Sequence, residues 1–132
     1  MGPTDDSVRK HLQKAEELLA DARLLMERDR RRSAADRTYY AMFAAAQAAL
    51  LQKGITAKTH KGLKSQFSQE FVKTGIVDRA LIRHLEETFD ARQASAYEAE
   101  FLLSRDVLQR YLEQAEAFID RVKRLVEREE QA

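Results

Sequence analysis

The sequence predicts an all-α fold, a four-helix up-and-down bundle with one additional short helix, and three observations predict it. The 132 residues contain one Pro and four Gly, so little punctuates the chain, and Ala, Leu, Glu, Arg, Lys and Gln dominate, the composition of long helices. Apolar residues recur at spacings of three and four rather than two. Residues that start and stop helices sit where that periodicity breaks. The length fits one domain with a single core, spanning 1–132, with frayed tails expected at 1–6 and 129–132.

Val8, Leu12, Ala15, Leu19, Ala22 and Met26 put one apolar face on a first helix from about Asp5 to Arg30. Ser33 and Asp36 have the spacing of a capping box and are expected to open the second helix, and Gly54 after Lys53 is expected to end it. In that helix Tyr39, Tyr40, Met42, Phe43, Leu50 and Leu51, with alanines between, cover most of the circumference. Neighbours must approach it on several sides, which makes it the hub. Thr59 can cap a short third helix with Leu63, Phe67, Phe71 and Val72 inward, closed by Gly75. Asp78 caps a fourth with Leu81, Ile82, Leu85 and Phe89 inward, and a break near Leu103 precedes Ser104 as cap of a long fifth. The fifth repeats Leu108, Leu112, Ala115, Phe118, Ile119, Val122 and Val126 at near-heptad spacing, with the first helix as expected partner. At about 25 residues and 1.5 Å per residue each of these two would be roughly 38 Å long, enough to protrude and offer a homodimer surface.

The formal net charge of +1 favours neither a dedicated nucleic-acid binder nor an acidic protein, so only local patches can carry that argument. There is no Cys, hence no disulfide or thiol chemistry. No secretory signal opens the chain, and the apolar run from Tyr39 to Leu51 falls short of the ~20 residues of a membrane span. A cytoplasmic protein without a membrane partner is expected. The three His are far apart, no His-Glu-x-x-His pattern occurs, and Glu86, Glu87 and Asp90 read as helix-surface charge, so neither metal nor cofactor is expected.

Projecting the fourth helix at 100° per residue places Arg92 inside the stripe of Leu81, Leu85 and Phe89. A guanidinium there needs a carboxylate partner, for which Asp36 and Asp90 are candidates, or it lies at the mouth of a cleft and binds phosphate through its planar fork. Lys58-Thr59-His60-Lys61-Gly62 brings basic side chains, a hydroxyl and free backbone amides to one helix start, and reads either as a phosphate receiver or as a capping loop with solvated lysines. Five Arg face two Asp between Arg28 and Arg37, a positive patch at the first turn of the bundle. Arg79 and His84 point about 140° apart on a regular helix and read as a chance pairing, with His84 and His11 solvated.

Arg37-Thr38-Tyr39-Tyr40-Ala41-Met42-Phe43-Ala44-Ala45-Ala46, taken with Thr59 to Gly62 and with Phe89-Asp90-Ala91-Arg92-Gln93-Ala94-Ser95-Ala96-Tyr97, resembles the HEPN families of small prokaryotic helical proteins over nearly the whole chain. The resemblance implies a dimeric nucleotide- or RNA-interacting component of a toxin–antitoxin-type pair, of the single-domain kind often encoded beside a minimal nucleotidyltransferase. In HEPN ribonucleases an Arg is followed, after four to six residues, by a His; the Arg holds phosphate and the His assists proton transfer, with two copies meeting across a homodimer. Here Arg92 matches the Arg, but the allowed positions carry Tyr97, Glu98 and Ala99. Tyr97 is a poor general base near neutrality and remains as an acceptor or binding residue. The tyrosine that a partner nucleotidyltransferase modifies with AMP in some relatives falls on Ala99.

Three functions are open to these residues. The first is a binding module without efficient ribonuclease activity, in which Arg92, His60 and Lys61 hold phosphate, Asp36, Tyr39, Tyr40 and Tyr97 line the cleft, and a minimal nucleotidyltransferase is the partner. The second is a metal-independent endoribonuclease with a composite dimer site using Arg92 and Tyr97 or His60. The third is a structural helical assembly protein with Arg92 as an internal clamp.

Overall fold

The structure, a computed structural model, describes the backbone of residues 3–131 and the side chains of residues 6–128. Its elements are α1 (Pro3–Glu27), α2 (Arg31–Gln52), α3 (His60–Phe67) continued by a π-helical turn (Ser68–Val72), α4 (Ala80–Tyr97) and α5 (Arg105–Gln131). Side-chain pairings give the helix directions. Asp36 meets Arg92 and Met42 meets Thr88, so α2 and α4 run antiparallel. Asp29 meets Arg105, Arg23 meets Glu116 and Glu16 meets Lys123, so α1 and α5 run antiparallel. With α1 and α2 joined by a tight turn, the four long helices go up, down, up, down.

The tails are more helical than expected: α1 starts at Pro3, a residue preorganised for a first helical position, and α5 reaches Gln131. Met1, Gly2 and Ala132, which complete the expected frayed segments, lie outside the described residues. α1 stops at Glu27, three residues before the expected Arg30. There Asp29 takes the left-handed conformation (φ 58°), its N–H donates to Met26 O and that of Arg30 to Leu25 O, a Schellman ending with Asp where Gly is usual. The Asp29 carboxylate accounts for the choice, because it accepts from Arg31 and Arg105 and ties the turn to α5. Those bonds hold its pKa below the usual carboxylate range, Arg31 acting most strongly.

Ser33 and Asp36 do not cap α2. The helix already runs from Arg31, no side chain caps its start, and Asp36 is drawn into an ion pair with α4 instead. At the other end Gly54 (φ 75°) completes a Schellman motif, its N–H donating to Leu51 O and that of Ile55 to Leu50 O. Thr59 caps α3 by accepting from Gly62 N at 3.0 Å, Asp78 accepts from Ala80 N at 2.7 Å at the start of α4, and Ser104 accepts from Val107 N at 3.2 Å at the start of α5. α4 ends at Tyr97, earlier than the expected break near Leu103.

α2 is the hub. Ala34, Ala35, Ala41, Ala44, Ala45, Ala46, Ala48 and Ala49 are buried on it, and it packs against α1, α3, α4 and α5. α5 lays its apolar stripe chiefly on α2; its meeting with α1, the expected partner, is narrower and edged by ion pairs. Small side chains on α2 let its neighbouring helices approach closely, and α1 meets it most extensively. Leu63, Phe67 and Phe71 fasten α3 and its π turn to the core, with the Phe67 and Phe118 rings 5.6 Å apart.

Candidate functional site

Arg92 reaches from α4 to α2. Its Nε donates to Asp36 Oδ1 at 2.9 Å and its Nη1 to Gln93 Oε1 at 2.9 Å, while the guanidinium lies 5.1 Å from the centre of the Tyr40 ring. Arg37 Nη1 takes the other Asp36 oxygen at 2.9 Å. Asp36 is thus held between two arginines, and its hydrogen bond is the main reason the Arg92 pKa is raised. Asp90, the other candidate partner, is exposed and faces a different cleft. The Arg92 side chain is 22 % exposed, and its Nη2 makes no hydrogen bond among the described residues. Beside it Asp36, Arg37, Tyr40, Lys14 and Gln47 line a cleft of about 250 Å³.

Tyr97 does not share this site. It is 76 % exposed at the last turn of α4 and lines neither this cleft nor the larger one between α3 and α4. Residues five apart on a regular helix point about 140° apart, so Arg92 and Tyr97 of one chain leave α4 in different directions.

Tyr39 and His60 also depart from expectation. Tyr39 is buried at 2 % exposure rather than lining a cleft, and His60 has both ring nitrogens engaged. His60 Nε2 donates to Glu86 Oε1 at 2.6 Å, and its Nδ1 lies 2.8 Å from the Tyr39 hydroxyl, which donates to it when the imidazole is neutral. The imidazole stacks on Phe89 with centroids 3.7 Å apart. A phosphate would have to displace Glu86 or Tyr39 to reach it. Burial, aided by Tyr40, raises the Tyr39 pKa well above its ordinary value, so the hydroxyl keeps its proton.

Glu86, expected as plain surface charge, is therefore a structural partner. Burial alone would raise its pKa, but the His60 hydrogen bond and Lys64, 3.4 Å away, outweigh burial and hold it below its ordinary value. A carboxylate with a depressed folded pKa stabilises above its unfolded pKa and loses that contribution as pH falls through the folded value. Stability should therefore fall on acidification from about pH 5 downward, and Glu86→Gln should flatten that part of the profile. Urea midpoints from pH 7 to pH 3 check this, and an unchanged acid limb in the variant would refute it.

The arginine-rich turn is mostly spent on backbone. Arg32 donates to Ser95 O at 2.5 Å, Glu98 O at 3.0 Å and Ala99 O at 2.6 Å, capping the end of α4. Arg31 donates to Leu103 O at 3.0 Å. Arg28 and Arg30 make no ion pair among the described residues and remain as surface charge.

The larger cleft, of about 430 Å³, opens between α3 with its π turn and α4. One wall carries Lys61, Lys64, Ser65, Ser68 and Lys73; the other carries Ile82, Glu86, Phe89 and Asp90, with His60 at the base. Of the first wall only Lys61 is singled out by the sequence, together with His60 at the base. The polar face Lys61, Ser65 and Ser68, at helical spacing, was the signal for the rest. Among the described residues no group of three or more His, Asp or Glu is placed to hold a metal ion, and no helix is long and apolar enough to cross a membrane.

Comparison with known proteins decides the family. The HEPN domain profile matches residues 8–125. The chain belongs to the HEPN family. A UPF0332 protein of Thermotoga maritima is 35 % identical over 114 residues, 86 % of each chain. A protein of Methanocaldococcus jannaschii that bears the name "Putative toxin" is 30 % identical over 117 residues, 89 % of this chain and 80 % of its own. A UPF0332 protein of Archaeoglobus fulgidus is 32 % identical over 121 residues, 92 % of this chain and 96 % of its own. Every side chain of the two clefts lies inside the segment that matches the HEPN profile.

Proposed function

We propose that this HEPN protein is a nucleotide- or RNA-binding component of a cytoplasmic toxin–antitoxin-type pair, that it works as a homodimer with a minimal nucleotidyltransferase as partner, and that it lacks efficient ribonuclease activity. The observation that carries this reading is the state of Arg92. Its guanidinium is oriented by Asp36 and lies against Tyr40, yet its Nη2 makes no hydrogen bond among the described residues, and Asp36 and Tyr40 themselves line a cleft. That is a preoriented fork for a phosphate oxygen, with the aromatic face of Tyr40 for a base. No imidazole stands beside it, because His60 is bound to Tyr39 and Glu86. Toxin-named relatives from M. jannaschii support the pairing with a partner. The exposed Tyr97 is available to a second subunit, where it can serve as a binding or acceptor residue.

Binding and cleavage of a mixed RNA pool in EDTA, by wild type and Arg92→Ala, test the reading once folding and dimer formation are checked by circular dichroism and sedimentation. Wild type is expected to bind without cutting, and loss of the charge-assisted contact should weaken binding about tenfold. Cleavage by wild type alone would instead establish the metal-independent endoribonuclease with a composite dimer site. Equal binding by both, with lower stability in the variant, would make Arg92 the clamp of a structural assembly protein.

A further inference from the structure

We infer that the cleft between α3 and α4 is a second site, separate from Arg92, that takes a small organic phosphomonoester. The two walls differ in chemistry. Lys61, Lys73, Ser65 and Ser68 converge from the α3 side and make no side-chain hydrogen bond or ion pair among the described residues. Facing them, α4 offers the apolar Ile82 and Phe89 together with the Asp90 carboxylate. An inorganic anion would use the first wall only. A molecule with a phosphate at one end and an apolar body bearing hydrogen-bond donors at the other uses both, and about 430 Å³ is a small-molecule volume.

The π turn builds the basic wall. Lys61, Ser65 and Ser68 share one face of a helix through their spacings of four and three. Lys73, five residues beyond Ser68, would point about 140° away if the α-helix simply continued. Over Ser68–Val72 the chain instead makes the wider π turn, closed by Lys73 N donating to Ser68 O at 2.8 Å. That bond stacks residue 73 over residue 68 and brings its ammonium to the cleft. Single π turns inside helices recur at functional sites, and here the turn costs the chain regular hydrogen bonding while delivering a fourth polar group.

The floor is fixed before any ligand arrives. His60 is held by Tyr39 and Glu86 and stacked on Phe89, and Glu86 also holds Lys64. This bound set leaves Lys61 and Lys73, which make no ion pair among the described residues, as the charges for the phosphate. Lys64 orients the rim through Glu86.

Calorimetric titration of the full chain with AMP, ribose 5-phosphate, inorganic phosphate and adenosine tests the site. Saturable binding of AMP is expected, with inorganic phosphate and adenosine each much weaker. Lys61→Ala/Lys73→Ala, which removes two exposed side chains that make no hydrogen bond or ion pair among the described residues, should weaken AMP about tenfold or more. In an Arg92→Ala background, where the first site is removed, saturable AMP binding should persist and should still depend on Lys61 and Lys73. AMP tighter than ribose 5-phosphate would assign the α4 wall to a base, and equal affinity would assign it to the sugar, both within the proposal. Absence of saturable AMP binding, equal affinity in the lysine double variant, or inorganic phosphate binding as tightly as AMP would overturn it. Loss of AMP binding in Arg92→Ala alone would place the ligand at the first site and also overturn it.

Discussion

Replacing Phe67 by alanine is expected to lower the unfolding free energy by about 4 kcal/mol, the upper part of the range for removing a buried phenyl ring. Phe67 is fully buried, its ring 5.6 Å from that of Phe118 on α5 and 5.0 Å from that of Phe71 in the π turn. The short α3 has few other anchors, chiefly Leu63, so the surroundings have little means of closing around the cavity. A loss of that size is a large share of the roughly 5–15 kcal/mol that holds a domain of this kind together. Equilibrium urea unfolding measures it. A cost below about 1 kcal/mol would mean that the site collapses without penalty and that α3 is not seated as described. Because the same ring seats the basic wall of the larger cleft, the variant should also lose AMP binding under conditions where it remains folded.

Arg32→Ala is expected to cost about 2 kcal/mol, less than three charge-assisted hydrogen bonds would total, because the freed carbonyls can rehydrate. Arg32 is the only side chain that reaches Ser95 O, Glu98 O and Ala99 O among the described residues, and those oxygens belong to the end of α4, where no regular helical donor continues the ladder. The expected signature is local before it is global. Amide exchange should accelerate over 94–99 while the amides of α2 and α5 keep their protection, and Arg32→Lys should recover little, since one ammonium cannot span three carbonyls from a fixed fork. Uniform acceleration across the chain would show that Arg32 supports the whole bundle rather than this end. The loosened segment carries Tyr97 and begins just past Arg92, so the variant also asks whether RNA binding depends on a fixed α4 end.

The features legible in the sequence were the local ones. Thr59, Asp78 and Ser104 cap helices, and Gly54 ends one, because each acts on backbone groups within three residues of itself. The hub role of α2 was legible because apolar residues cover most of its circumference. Asp36 was read two ways, as a cap and as a partner of Arg92, and the long-range pairing won because α2 already begins at Arg31. Glu86 and Tyr39 were misplaced for the same reason. Their roles depend on His60, 26 and 21 residues away, and nothing in the neighbouring residues signals it. The π turn was illegible too, since Phe67 and Phe71 keep a helical spacing across it and the extra residue shows its effect only at Lys73. Arg92 was legible as an anomaly, and the anomaly was real, but whether its fork is spent on Asp36 or shared with a ligand is a matter of one amino group.

The alanines of α2 have a further consequence. Most helical cores are specified by the side chains that fill them, and shape is tuned by enlarging or trimming the filler. Here the central column is narrow, and the surrounding helices come to rest against methyl groups. Distances across the molecule, including the gap that Arg92 bridges to Asp36, are therefore ruled by absent volume. Such a column acts as a gauge: it leaves the outer helices free to vary in sequence while fixing how far apart they stand, and it lets two chemically unlike clefts be carried on different flanks at a constant spacing.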